Sequence, residues 1–353
     1  MNPLVHTKED TFIRHLKKEP LSRVYILAGP ESYLKEHYRD WVVKRALEGG
    51  SADFNLHEFD GGAFKCREFA GAVEALPMMG GRNCALIKGI DFDKVPLAEY
   101  NKLKDFLKDP PEDSTSIFVC TGDFNTKKSA RCRTLEKLVD PVGQIAIFYK
   151  RGEGDLYRFA LDRAAAYQAI LPREVFRTLN QMCGGDMLML HNETEKVAAY
   201  CQGREITPLD LETCCCPVME TTAFELSRAV IRGDFDRAMG ILKQLLYLRE
   251  EPVAIVGALA AGFLDIYRAK TASLSGRGNN DILAAFEYRG REFRVRNAMM
   301  EVSRCSTGFL RGAVSLLTEA DTQLKSSRLE DRVILEKLLT QLFVLRKSSG
   351  RVD

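Results

Sequence analysis

Over its first 150 residues the chain alternates short apolar runs with longer stretches of helical spacing. Val24 to Ala28 is one such run, closing on Gly29-Pro30. Tyr33 to Leu47 then sets Leu34, Trp41 and Val42 at helical intervals. FNLHEFD, NCALIK, SIFVC and QIAIFY supply four further strand candidates, and helical stretches Phe64 to Leu76, Leu97 to Leu107 and Thr126 to Val139 lie between them. A strand followed by a helix, repeated, closes on a mainly parallel sheet, so this segment is predicted to be α/β.

After Tyr149 the pattern changes. KRGEGD reads as a polar linker, and from Leu156 to about Thr213 only helices are expected: one through Tyr167, one over Pro172 to Met182 and one over Asp186 to Tyr200. A fourth opens at Thr207-Pro208, where Thr caps and Pro takes the first helical position. A second helical block follows from Thr221, broken at Gly233-Asp234, Glu251-Pro252, Ser275 to Asn280 and Ser306 to Gly308, with a last helix from about Glu330 to Lys347. The expected domains are therefore 1–150, 151–216 and 217–353, consistent with a 353-residue chain at roughly 150 residues per domain.

The first twenty residues lack an apolar stretch of signal-peptide length, and the apolar run Pro252 to Leu264 is short for a bilayer. These features predict a cytoplasmic protein without a membrane partner. The ten cysteines are scattered, form no CxxC pair, and are expected to be reduced structural thiols. A formal net charge of +2 excludes a strongly basic coat, so any nucleic-acid contact has to come from local patches.

The position after the first strand is where a nucleotide-binding α/β domain receives phosphate. A P-loop carries Gly-x-x-x-x-Gly-Lys followed by Ser or Thr there. This chain has Ala28-Gly29-Pro30-Glu31-Ser32-Tyr33-Leu34-Lys35-Glu36, with one glycine and an acid near the phosphate position. SIFVC is followed by Thr121-Gly122-Asp123, a single acid where a metal-holding pair is needed. Neither ATP hydrolysis nor a cofactor is expected. The residue types around His191 suit a surface or capping role, and Ser303-Arg304-Cys305 lies in the C-terminal helical block, outside the context an arginine finger needs.

Four ordered stretches resemble the delta subunit of the bacterial DNA polymerase III clamp loader. They are Tyr25 to Leu34, with its Gly-x-Glu-x-Tyr-Leu core, and Ala75-Leu76-Pro77-Met78-Met79-Gly80-Gly81-Arg82 leading into Asn83 to Ile87. The others are Gly185-Asp186-Met187 through Glu193-Thr194-Glu195-Lys196-Val197 to Tyr200, and Asp321 to Lys325 followed by Leu335 to Leu339. The resemblance implies an AAA+-like, P-loop-less α/β domain, a small helical lid-like domain and an all-α C-terminal collar that oligomerises. It further implies a non-ATPase member of the DNA polymerase III holoenzyme that binds the sliding clamp (beta subunit) and opens it for primed DNA. Its collar would join the gamma/tau and delta prime subunits.

At this family position sits an apolar pair that enters the clamp. Here Phe69, Val73 and Leu76 are predicted to form the inward stripe of a helix ending at Pro77, leaving Met78 and Met79 to project beside it. Leu76, Pro77, Met78 and Met79 are thus the expected clamp contact. The competing reading makes both methionines core gap-fillers. For DNA, Lys127, Lys128, Arg131 and Arg133 form one basic cluster, and Arg289, Arg291, Arg294 and Arg296 surround Phe293 in another. Two other functions compete: an AAA+-like ATPase with a degenerate site, and a DNA-binding helical adaptor without a clamp partner.

Overall fold

The protein is described here from a computed structural model covering residues 9–78, 80–122, 124–215, 219–288 and 291–348. Met79, Asp123, Cys216 and Arg289 lie outside the described residues, as does the expected boundary between 216 and 217. The chain divides into two compact units, Met1–Lys150 and Arg151–Asp353.

The first unit runs α1 (Glu9–Lys18), β1 (Val24–Ala28), α2 (Ser32–Ala46), α3 (Ala52–Asn55), β2 (Leu56–Asp60), α4 (Cys66–Glu74), β3 (Asn83–Ile90), α5 (Leu97–Phe106), β4 (Ser114–Cys120), α6 (Ala130–Val139) and β5 (Gly143–Ile147). All five strands are parallel, in the order β2-β3-β4-β1-β5. Helices cover both faces of the sheet, so β1 and β4 are buried along their whole length. Val24 and Ile26 of β1 face a core containing Phe69, Leu103, Phe118 and Leu135. Tyr25 meets Phe12 of α1 edge to face, and Phe12 in turn meets Tyr38 of α2. Helix α1 is an element the sequence pattern did not yield, although Phe12 and Leu16, both buried and four residues apart, are its signal.

The second unit begins with α7 (Glu153–Ala165), α8 (Arg173–Met182), α9 (Met187–Cys201) and α10 (Pro208–Cys214). Thr207 caps α10 in a reciprocal capping box with Asp210, and Pro208 follows at the first turn. The Arg204 guanidinium beside Asp210, with the Thr207 hydroxyl and amide, holds that carboxyl well below the usual range. Then come α11 (Met219–Arg232), α12 (Phe235–Tyr247), α13 (Pro252–Leu274), α14 (Asn279–Ala285), α15 (Glu292–Glu301), α16 (Thr307–Ser326) and α17 (Asp331–Ser348).

Helix α13 extends ten residues beyond the apolar run read from sequence and is long and apolar enough to cross a membrane. Its packing is that of a core helix. Ile255, Val256, Leu259, Phe263 and Ile266 join a cluster with residues of α11, α16 and α17. Its buried Asp265 is paired with Arg294 at 2.7 Å and accepts the Tyr288 hydroxyl at 2.5 Å.

Candidate functional site

Helix α4 buries Cys66, Phe69 and Val73 and stops at Glu74, two residues short of the predicted inward Leu76. A proline disfavours helical geometry in the residue before it, so Leu76 is driven toward extended backbone by Pro77. Ala75 already has φ −63° and ψ 147°. Leu76 therefore leaves the stripe and is 84% exposed, while Met78 is 56% exposed. This corrects the expectation for Leu76 as a core residue and leaves it in the proposed contact. Pro77 is half-buried, and nothing is described for Met79.

The tip is hydrogen-bonded rather than loose. The Asn55 side chain accepts from the Met78 amide at 2.8 Å and donates to the carbonyls of Met78 and Gly80 at 2.9 and 2.8 Å. Gly80 takes φ +90°, a conformation that favours glycine, and carries the chain back toward β3. Two apolar side chains thus stand in solvent on a backbone held next to the edge strand β2.

The position where phosphate would enter is built differently. The Glu31 carboxylate is the N-cap of α2, accepting from the Tyr33 amide at 3.3 Å, and it pairs with Lys150 at 3.2 Å. Its charge sits at the helix N-terminus that a phosphate would need. Lys35 is buried and donates to the Cys120 carbonyl at 2.9 Å. Gly29 has φ +102°, and a Cβ there would lie 2.3 Å from the Phe148 carbonyl oxygen.

Sequence reasoning looked for paired carboxylates after β4, but the pair stands after β3. Asp91 and Asp93 line a cleft of about 270 Å³ with Lys94, Cys120 and Gly122. Both are engaged: the Lys94 ammonium beside Asp91 lowers its pKa, and Asp93 accepts the Ser129 hydroxyl at 2.6 Å. A reading of strand order, not available from spacing, was needed to find them.

The basic clusters separate by the partners each residue already has. Arg131 donates to the carbonyls of Phe92, Asp93 and Val95 and lies over the Tyr100 ring at 4.8 Å. Arg133 donates to the Thr126 carbonyl at 3.1 Å, whereas Lys127 and Lys128 are exposed on a turn whose amides bond the Asn125 side chain. Arg294 is committed to buried Asp265, Arg296 pairs with Glu153 at 2.8 Å, and Phe293 is itself buried. An aromatic ring inside a core offers no face to a base, and a guanidinium already holding a carboxylate or three carbonyls is a poor phosphate ligand. Arg304 of the Ser-Arg-Cys tripeptide pairs with Glu301, a fully buried acid that also holds Arg228 and Arg232. His191 lies 3.7 Å from Glu195 one helical turn on.

Residues 25–142 match the model of the DNA polymerase III delta subunit, and residues 220–342 match the model of that subunit's C-terminal domain. The chain belongs to the DNA polymerase III delta subunit family. It is 24% identical over 336 residues to the DNA polymerase III subunit delta of Bacillus subtilis, covering 93% of this chain and 95% of that one. The solved structure of a Bacillus subtilis DNA clamp loader delta protein superposes with a TM-score of 0.65 at 21% identity, covering 94% of this chain and 98% of the other. That likeness extends across both units described above and is one of fold. The delta-family assignment agrees with the resemblance carried by the Gly29 to Leu34 and Ala75 to Ile87 stretches, and an α/β domain on a five-stranded parallel sheet followed by helical blocks is the architecture of the chain.

Proposed function

We propose that this chain grips the replicative sliding clamp through the tip formed by Leu76, Pro77, Met78 and Met79, and opens the ring without consuming nucleotide. The observation that carries the proposal is the exposure of Leu76 and Met78 on a hydrogen-bonded backbone. Exposed apolar side chains on a fixed support suit insertion into a pocket of another protein, because burial is gained while little order is lost. The polarizable thioether of Met78 tolerates an irregular pocket wall. Binding a clamp conformation of altered curvature more tightly than the closed ring shifts the ring toward opening, with no chemical step on this chain.

The Glu31 cap and the commitment of Lys35 to the Cys120 carbonyl support a subunit that leaves ATP hydrolysis to its partners. Those partners are the gamma/tau and delta prime subunits, joined through helices of the C-terminal block in a cytoplasmic holoenzyme. Primed DNA receives the opened clamp, and Lys127 and Lys128 are the side chains best placed to touch its phosphates.

The test is ring opening. A clamp carrying a self-quenching fluorophore pair across one subunit interface should brighten on adding the purified chain in buffer containing EDTA and no nucleotide. Brightening that requires ATP, or that is equal for the chain with Leu76→Ala and Met78→Ala, contradicts the proposal.

A further inference from the structure

We infer that two buried asparagines, Asn55 and Asn83, act as a paired latch that holds the tip in its binding geometry. The inference rests on the reading of the tip as the clamp contact and names the residues that position it. Asn55 is 0% and Asn83 2% exposed. Asn55 immediately precedes β2 and Asn83 opens β3, strands that run side by side with Leu56 paired to Cys84. The two residues therefore sit at the same end of neighbouring strands.

Their bonds divide the tip between them. Asn83 donates to the carbonyls of Ala72, at 3.4 Å, and Ala75, meeting helix-end acceptors that have no partner within α4. Asn55 takes the other side, with both amide hydrogens on the Met78 and Gly80 carbonyls and its oxygen on the Met78 amide. Leu76 and Pro77 lie between the two grips.

A fully buried amide is destabilising unless its hydrogen bonds are met, and an apolar residue of similar volume fills a core position with less demand. Asn55 directs three bonds at one exposed segment. That pattern suits a support for the tip better than a packing role. Gly50 adds a steric constraint, since a Cβ there would lie 2.3 Å from the Gly80 carbonyl oxygen. A tip already fixed loses less conformational freedom on binding, so the latch acts on affinity without touching the partner.

The experiment measures clamp affinity and amide hydrogen exchange on the full chain with Asn55→Ala, Gly50→Ala and Met78→Ala. Gly50→Ala presses on the latch without deleting its amide, since the added Cβ would lie 2.3 Å from the Gly80 carbonyl oxygen and 2.8 Å from the Asn55 Nδ2, which guards against a fold-level effect of removing a buried amide. We expect Asn55→Ala and Gly50→Ala each to weaken clamp binding about tenfold, or about 1.4 kcal/mol, with exchange faster at the Met78 amide and unchanged along β3. Wild-type affinity in both variants, or affinity lost only together with β3 protection, overturns the latch. If Met78→Ala weakens binding and Asn55→Ala does not, the latch alone is wrong. If Met78→Ala binds as wild type, the clamp-contact reading fails and the latch with it.

Discussion

Replacing Leu76 and Met78 together by alanine removes the two apolar side chains that stand in solvent at the tip. Fully burying an aliphatic side chain is worth about 2 kcal/mol. Scaled by exposures of 84% and 56%, burial against a partner contributes about 1.7 kcal/mol from Leu76 and about 1.1 kcal/mol from Met78. The double variant should therefore raise the Kd for the clamp by about 100-fold. Because neither side chain belongs to the core of the first unit, folding stability should change by no more than about 0.5 kcal/mol. Fluorescence anisotropy of labelled clamp at fixed salt measures the first quantity, and urea denaturation of the same preparations measures the second. A Kd within threefold of wild type would refute the reasoning, as would a large drop in stability, which would place the side chains in the core.

The buried thiols give the chain an alkaline limit. Burial pushes Cys84 and Cys120 up to about 12, so the folded state keeps protons that the unfolded chain releases above about pH 9. Stability should be complete below that pH and fall toward pH 12 by up to about 1.4 kcal/mol per pH unit for each thiol. A urea midpoint that stays level from pH 9 to 11 contradicts this. In the second unit, burial raises the pKa of Glu301, yet its hydrogen bonds to Arg232 and Arg228 outweigh that and hold it low. Glu301→Ala should cost about 1.5 kcal/mol, because Arg232 loses its carboxylate while Arg228 keeps Glu225, and an unchanged stability would show the network to be solvent-screened. For DNA binding by the assembled loader, Lys127→Ala with Lys128→Ala should reduce the slope of log K against log salt by about 2, while an unchanged slope removes this turn from the DNA contact.

Local chemistry made much of the fold legible. The five strands announced themselves as apolar runs between helical stretches, and Thr207-Pro208 marked a helix start because cap and fixed φ act within one turn. Leu76 was misplaced because its spacing fits the α4 stripe, whereas Pro77 and the Asn83 amide end the helix before it. The first of those is a local rule overlooked; the second is a contact between segments that only the folded chain brings together. The same distinction separates the basic residues. Arg131 and Lys128 look alike in sequence, but the carbonyls that occupy Arg131 come from the loop after β3, more than thirty residues away. Asp91 and Asp93 escaped attention because strand order, not sequence order, sets which strand ends neighbour one another. Asn55 carried no signal of its role, since FNLHEFD reads as one strand from Phe54, whereas the folded chain ends the short helix α3 at Asn55 and starts β2 after it.

The most direct measurement is a photo-crosslink from the tip itself. Photo-leucine placed at Leu76, and separately at Leu97, which is also exposed in the first unit, is irradiated with purified clamp in the absence of nucleotide. Capture of the clamp from position 76 and not from position 97 is the predicted result. Capture from 97 alone, or from neither position while the two proteins remain bound, would contradict a clamp contact at the tip.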